Sequence, residues 1–413
     1  MRLPDRLVTA LARRGVHEPF AIQGRAIPDA LAGFDVLGRA QTGSGKTLAF
    51  GLPMLARLAG GPRVPGQPRG LVLVPTRELA EQVKEALAPL GQALDLQVAA
   101  IYGGASMHRQ ITALRRGVDV VIATPGRLQD LINQRECSLA KVEITVLDEA
   151  DYLADLGFLP AVRMLLDTTP AGGQRMLFSA TLDRGVNRLV HDYLTDPAIH
   201  AITPAGHTVS TMDHRAFTVR SEEKVAVAAE IAGRPGRTLI FVRTKHGADR
   251  LAKQLQRTGV AAGAIHGNLA QNARQRALDA FSSGHARVLV ATDVAARGIH
   301  VDDVGLVVHF DPPADAKDYL HRSGRTARAG ADGVVLSLLL PEQVSEVARL
   351  HRDAGVHPAA ASVSPTSSAV QELALSGTPI VVASPPPAPI RAAGPPRRRR
   401  PPVSRHRPAS APR

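Results

Sequence analysis

Short runs of aliphatic and β-branched residues recur along this chain, separated by longer stretches of mixed polarity. A first series comprises Leu71–Val74, Val120–Ala123, Ile144–Leu147 and Met176–Ser179. A second comprises Thr238–Val242, Arg287–Ala291, Leu306–Phe310 and Val334–Leu339. Near-continuous apolar runs, rather than alternating ones, are what strands need when both faces of a sheet are covered. Separated by helical stretches, they predict parallel sheets flanked by helices. Two series therefore predict two α/β domains, over residues 1–205 and 206–354, meeting at the Pro-, Gly-, Thr- and Ser-containing stretch Asp196–Thr211.

The pattern stops at Gly355. The last 59 residues hold 13 of the 31 prolines and eight arginines against a single acid, Glu372. Proline removes backbone donors and little in this segment can be buried. A disordered, basic, Pro/Arg-rich tail is therefore expected over 355–413.

A length of 413 residues suits two domains. A content of 44% hydrophobic and 21% charged residues excludes a wholly disordered protein. Lysine and arginine total 50 against 37 acids, a net charge of +13, which points toward a polyanionic partner. The single cysteine, Cys137, rules out an internal disulfide, and no Cys/His set has zinc spacing. The N-terminal Met1-Arg-Leu-Pro lacks the apolar core of a secretory signal. The longest apolar stretch, Val334–Leu340, falls far short of the roughly 20 residues that span a bilayer. A soluble, cytoplasmic protein with no membrane partner is expected.

Chemistry concentrates first at Ala40-Gln-Thr-Gly-Ser-Gly-Lys-Thr47, after a short strand and before a helical run. Small residues such as Thr42, Gly43, Ser44 and Gly45 let successive backbone N–H groups curl around phosphates at a helix N-terminus. Lys46 can reach the terminal phosphates and the Thr47 hydroxyl can ligate Mg²⁺. About a hundred residues later, the strand Ile144–Leu147 runs into Asp148-Glu-Ala-Asp151. Carboxylates at the C-terminal end of a parallel strand sit where such sheets bind ligands. Asp148 is suited to hold the metal and Glu149 to polarise a water for attack on a γ-phosphate.

With these segments in this order, the chain resembles a DEAD-box RNA helicase over about residues 1–345. The resemblance implies two tandem RecA-like domains, ATP and Mg²⁺ as cofactors, and RNA as a partner bound with little sequence specificity. It assigns adenine recognition to Gln23. RNA contacts are implied at Arg77 in Pro75–Ala80, at Gly104, and at Thr124 and Arg127 in Thr124-Pro-Gly-Arg127. Ser179-Ala-Thr181, with Asp151, is implied to couple nucleotide state to strand separation. In the second domain the resemblance places Gly267, Gln271 and Arg274 on RNA, within His266–Arg274, together with Thr292. Arg297 and Gly298 complete the ATP site, joined by His321, Arg325 and Arg328, the two arginines acting as fingers on the γ-phosphate. Arg322, Arg325 and Arg328 recur every three residues, a spacing that repeats on one helical face.

Three positions depart from the family pattern: Val16 stands where an aromatic is usual, His300 where an aspartate is, and Ala327 where a glycine is. Absence of Trp, with only four Tyr and nine Phe, argues against a base-stacking platform and for contacts to phosphate and 2′-OH groups. Other readings stay open at this point: a non-catalytic RNA clamp or annealing chaperone, a DNA-directed helicase, and a P-loop kinase. The architecture needs only a monomer, and no feature names a protein partner.

Overall fold

The structure, a computed structural model, describes residues 2–40, 44–202, 212–296, 304–327 and 333–379. Of the positions singled out above, Thr42, Gly43, Arg297, Gly298, His300, Arg328 and residues 380–413 lie outside these segments.

Among the described residues, fourteen strands form two parallel sheets of seven. The first contains β1 (Val36–Arg39), β2 (Gly70–Leu73), β3 (Val98–Ile101), β4 (Val120–Ala123), β5 (Ile144–Asp148), β6 (Gln174–Ser179) and β7 (Ala198–Ala201). Its order is β3-β4-β2-β5-β6-β1-β7. The second contains β8 (Asp213–Thr218), β9 (Arg237–Phe241), β10 (Ala262–Ile265), β11 (Val288–Ala291), β12 (Val304–His309), β13 (Val334–Leu339) and β14 (Ala360–Ser362). Its order, β10-β11-β9-β12-β13-β8-β14, repeats the first strand for strand. The architecture is two tandem RecA-like domains.

Neighbouring residues of one strand point to opposite faces, and both faces here are packed. Val72, Val146 and Met176 enter one core with Leu7, Ile22, Phe50 and Leu87 from helices. Leu71, Leu147 and Leu177 enter the other with Leu128, Leu153, Leu165 and Leu189. Strand β1 breaks the apolar pattern with Gly38 for a steric reason. A Cβ there would lie 2.4 Å from the Phe178 ring, which instead packs against Phe50 at a centroid distance of 5.5 Å.

Two boundary expectations need correction. Part of the expected connector, Ala198–Ala201, is strand β7, paired in parallel with β1. Residues 355–379, expected in a disordered tail, instead complete the second sheet. Strand β14 pairs with β8, and the helix Ser368–Leu375 buries Val370 and Leu373 in the core with Val227 and Ile231. Among the described residues, no helix is long and apolar enough to cross a membrane.

Candidate active site

The polar residues of interest gather at the C-terminal ends of the strands, where the loops of a parallel sheet converge. Gly45, at φ 88°, turns the chain from the loop after β1 into the helix Lys46–Leu58. A side chain there is blocked by space as well as by φ, since a Cβ would meet Gln23 Nε2 at 2.4 Å and Phe20 at 2.8 Å. Gln23 is buried, and its amide is engaged at both ends: Nε2 donates to Gly45 O at 3.0 Å, and Oε1 accepts from Phe20 N at 3.0 Å. The glutamine thus ties its own helix, Ala21–Ala32, to the loop. Sequence reasoning missed Phe20, whose exposed ring lies beside Gly45. Val16, in contrast, packs against the first core. Lys46 is buried and donates from Nζ to Ala40 O at 3.0 Å, bridging the two ends of the loop.

Asp148 ends β5 as a buried carboxylate accepting Glu149 N at 3.0 Å. Burial pushes its pKa up to about 7 against the pull of Lys46, and the neighbouring Glu149 adds to the rise. Glu149 itself adopts φ 50°, ψ 53°. A left-handed conformation in a non-glycine residue costs about 1–3 kcal/mol and marks functional turns. It swings the chain abruptly from strand into the helix Ala150–Asp155.

Asp151 locks this segment to Ser179-Ala-Thr181. Its Oδ2 accepts from Thr181 N and from Thr181 Oγ1, both at 2.9 Å, while Asp151 N donates to Ser179 Oγ at 3.2 Å. Burial works against ionisation of Asp151. Lys46, the Thr181 hydrogen bonds and the charge of His321 nevertheless hold its pKa below the ordinary value.

Lys46, Glu149, Asp151 and Ala180 from the first domain share one cavity with His321 and Arg325 from the second. At about 20 Å³ it has room for little more than a water, and contacts such as Arg274 to Glu78 hold the two domains closed upon each other. Arg325 stands clear of the face expected for it. The helix Ala316–Ser323 stops before Arg325, so a spacing of three no longer means one face. Arg322 turns inward, with Nε and Nη2 on Asp293 at 2.5 and 2.8 Å and Nη1 on Asp311 O at 2.7 Å. Arg325 turns toward the cavity. Ala327 sits at φ 53°, in the left-handed region that glycine enters without strain.

The segments expected on RNA share the same edge. Exposed Arg77 opens the helix Arg77–Gln92, and its guanidinium lies over Gly104, where a Cβ would come within 2.0 Å. Thr124 precedes the helix Pro125–Asn133. In the second domain, Gly267 lies under Lys245, Gln271 opens the helix Gln271–Ser282, and Thr292 is buried at the end of β11. Two of the arginines expected on RNA have partners within the protein. Arg127 is held within the protein by Ala105 O at 3.3 Å and Gln110 Oε1 at 3.1 Å, bracing the Gly103-Gly104 turn. Arg274 is buried against Glu78 of the first domain, with Nη2 on Ala295 O at 3.1 Å. A cavity of about 980 Å³, lined by Phe34, Arg57, Arg69 and Glu143, lies at the opposite ends of the first sheet's strands, and none of these motif residues lines it.

Residues 20–189 match the DEAD/DEAH box helicase family and residues 223–330 the helicase conserved C-terminal domain. ATP-dependent RNA helicase RhlB of Xanthomonas axonopodis pv. citri is 42% identical over 340 residues, covering 80% of this chain and 60% of that relative. The chain thus spans about three fifths of that relative's length. DEAD-box ATP-dependent RNA helicase CshA of Bacillus subtilis is 39% identical over 83% of this chain and 69% of its own. Among solved structures, S. cerevisiae Dbp5 bound to RNA and ADP BeF3 superposes with a TM-score of 0.78 at 28% identity, covering 90% of this chain and 98% of that one.

Proposed function

The chain belongs to the DEAD-box helicase family, and from that premise we propose that it is an ATP-dependent RNA helicase in which domain closure around ATP and RNA separates a short duplex. One observation carries the reading: groups from both domains, Lys46, Glu149 and Asp151 with His321 and Arg325, meet at a single cavity.

In this reading Lys46 exchanges its bond to Ala40 O for the terminal phosphates. Glu149 orients the attacking water and accepts its proton. Arg325, with Arg328, stabilises charge developing on the γ-phosphoryl oxygens, a contribution of roughly 10³–10⁵ in rate for an arginine finger. Because the finger comes from the second domain, hydrolysis waits for closure. Asp151 and Thr181 transmit nucleotide state between Glu149 and the edge that holds RNA.

Thr47 and Asp148 suit Mg²⁺. A buried carboxylate with a raised pKa gains from a cation beside it, and two chain donors leave the remaining positions to phosphate and water, as Mg²⁺ prefers. When bound, the metal neutralises charge on the phosphate oxygens. Gln23 reads adenine.

RNA lies along the strand ends, against Arg77, Gly104, Thr124, Gly267, Gln271 and Thr292. Contacts to phosphate and 2′-OH groups make binding salt-dependent and nearly blind to sequence. The protein acts as a cytoplasmic monomer, one chain supplying both halves of the cavity.

The test is ATP hydrolysis with single-stranded RNA, with DNA of the same sequence, and with neither, using Glu149→Gln as control. Stimulation by RNA and loss of turnover in the variant are expected. Equal stimulation by DNA would redirect the reading to a general nucleic-acid helicase. Absent turnover with RNA binding intact would overturn it in favour of a clamp.

A further inference from the structure

Outside every motif noted above, Lys317 lies in the first turn of the helix Ala316–Ser323, the element that carries His321. Its ammonium crosses between the domains and donates to two carboxylates of the first, Asp155 Oδ1 at 2.8 Å and Asp183 Oδ2 at 3.0 Å.

These two acceptors are placed by different elements. Asp155 closes the helix Ala150–Asp155, which begins directly after Glu149. Asp183 caps the helix Arg184–Tyr193 two residues after Thr181, its Oδ1 accepting Val186 N at 3.0 Å and leaving Oδ2 for Lys317. One cation therefore touches two of the three segments that form the first domain's half of the cavity, the third being that of Lys46. On its own helix, Lys317 precedes His321 by four residues, hence shares its face one turn away.

A lone surface ion pair fixes little, because either side chain can follow the other. A single ammonium between two carboxylates on separate elements satisfies both only at one placement of its helix. The three side chains are between 26% and 35% exposed, so the contact is half-buried. Burial tends to lower the lysine's pKa, but the two carboxylates raise it above the ordinary value, keeping it charged.

We propose that Lys317 is a positioning residue, which fixes the helix that carries His321 and leads into Arg325 against Asp155 and Asp183 in the closed state and so sets turnover without taking part in nucleotide capture. The inference rests on the function proposed above and adds a determinant of its closing step.

The experiment compares the full chain with Lys317→Ala, Lys317→Arg and Lys317→Glu. It reads RNA-stimulated kcat, ADP affinity without RNA, thermal unfolding, and the dependence of kcat on salt. In Lys317→Ala, kcat should fall roughly three- to tenfold. ADP affinity and the unfolding midpoint should stay unchanged, since Gln23 and Lys46, the residues proposed to capture nucleotide, lie away from Lys317 in the first domain. Lys317→Arg should recover most of the rate, Lys317→Glu should lose more than the alanine variant, and wild-type kcat should fall with salt more steeply than that of Lys317→Ala.

An unchanged kcat in Lys317→Ala, with an active wild type, overturns the inference alone. A loss accompanied by weaker ADP binding or a lower unfolding midpoint overturns it too, as a structural effect. Absence of RNA-stimulated turnover in the wild type overturns the proposed function, and this inference with it.

Discussion

Glu78 of the first domain and Arg274 of the second approach to 2.6 Å between Oε1 and Nε, with side chains 9% and 10% exposed. Both sit on segments expected to face RNA, yet closure removes them from solvent together. The Nε contact is an ion pair outside hydrogen-bond geometry, and Gln271 Nε2 also reaches Glu78 Oε1, at 3.3 Å. The pair thus fastens the RNA-side rim of the interface.

A double-mutant cycle separates that role from phosphate binding. Removing one member of a buried pair leaves the other charge uncompensated. Arg274→Ala and Glu78→Ala should each lower RNA-stimulated turnover by about 10–100-fold, or roughly 1.4–3 kcal/mol of closure. The double variant should be no worse than either single one. Losses that add instead would return Arg274 to the RNA path.

Asp148 makes the ligand-free protein sensitive to alkaline shift. Its pKa rises from 3.8 in the unfolded chain to about 7 in the fold, so the folded state binds the extra proton between these values. The sign follows: this contribution to stability is complete below 3.8 and is lost as pH rises toward about 7. Asp148→Asn should abolish that slope in denaturant unfolding followed from pH 4 to 8.

The second domain carries the opposite dependence. His309 is fully buried with neither ring nitrogen bonded, between Phe241 and Tyr319. Burial first, then the charges of Arg322, His351 and His214, hold its pKa well below 6.5. Folded protein binds fewer protons there than unfolded chain, so stability is present above 6.5 and lost as pH falls below it. His351, pushed down to about 4 chiefly by burial, adds to the same limb. His309→Phe should flatten the acid limb of the stability profile, most visibly near pH 5.

The corrected end of the second domain is open to truncation. Burying Val363, Val370 and Leu373 is worth roughly 1.5–3 kcal/mol each. A chain ended at residue 354 should lose about 5 kcal/mol of unfolding free energy in the second domain by that measure. A chain ended at 379 should unfold at the wild-type denaturant midpoint.

Strands buried on both faces were legible because their composition leaves few alternatives: Val120–Ala123 and Val334–Leu339 coincide with β4 and β13. Others were harder to read for local reasons. Strand β1 was expected only as an unbounded short strand before Ala40, because it contains Gly38, which only the Phe178 ring explains. Strand β10, Ala-Gly-Ala-Ile, has small residues with weak strand preference. Strand β14 is three exposed residues in a proline-rich segment, and only its pairing with β8 makes it a strand.

The site divides along similar lines. Lys46, Glu149, Asp151, His321 and Arg325 could be picked out because a compact motif announces each one, and they meet at one cavity. Whether an arginine points outward could not be read, since Arg127 depends on Gln110 and Arg274 on Glu78, each on another element. Lys317 gave no signal at all, because its two carboxylates lie on distant segments.

The bond from Lys46 to Ala40 O has a thermodynamic consequence for ligand choice. The lysine enters binding already partnered, so phosphate capture is a swap of acceptors rather than the gain of a new one. Only the difference between a neutral carbonyl and a phosphate oxygen then counts toward affinity, and charge-assisted bonds are roughly twice as strong as neutral ones. A polyanionic tail repays the swap where a neutral ligand of the same shape would not. The loop's own backbone therefore acts as a built-in competitor, setting a threshold of charge below which a ligand cannot displace it.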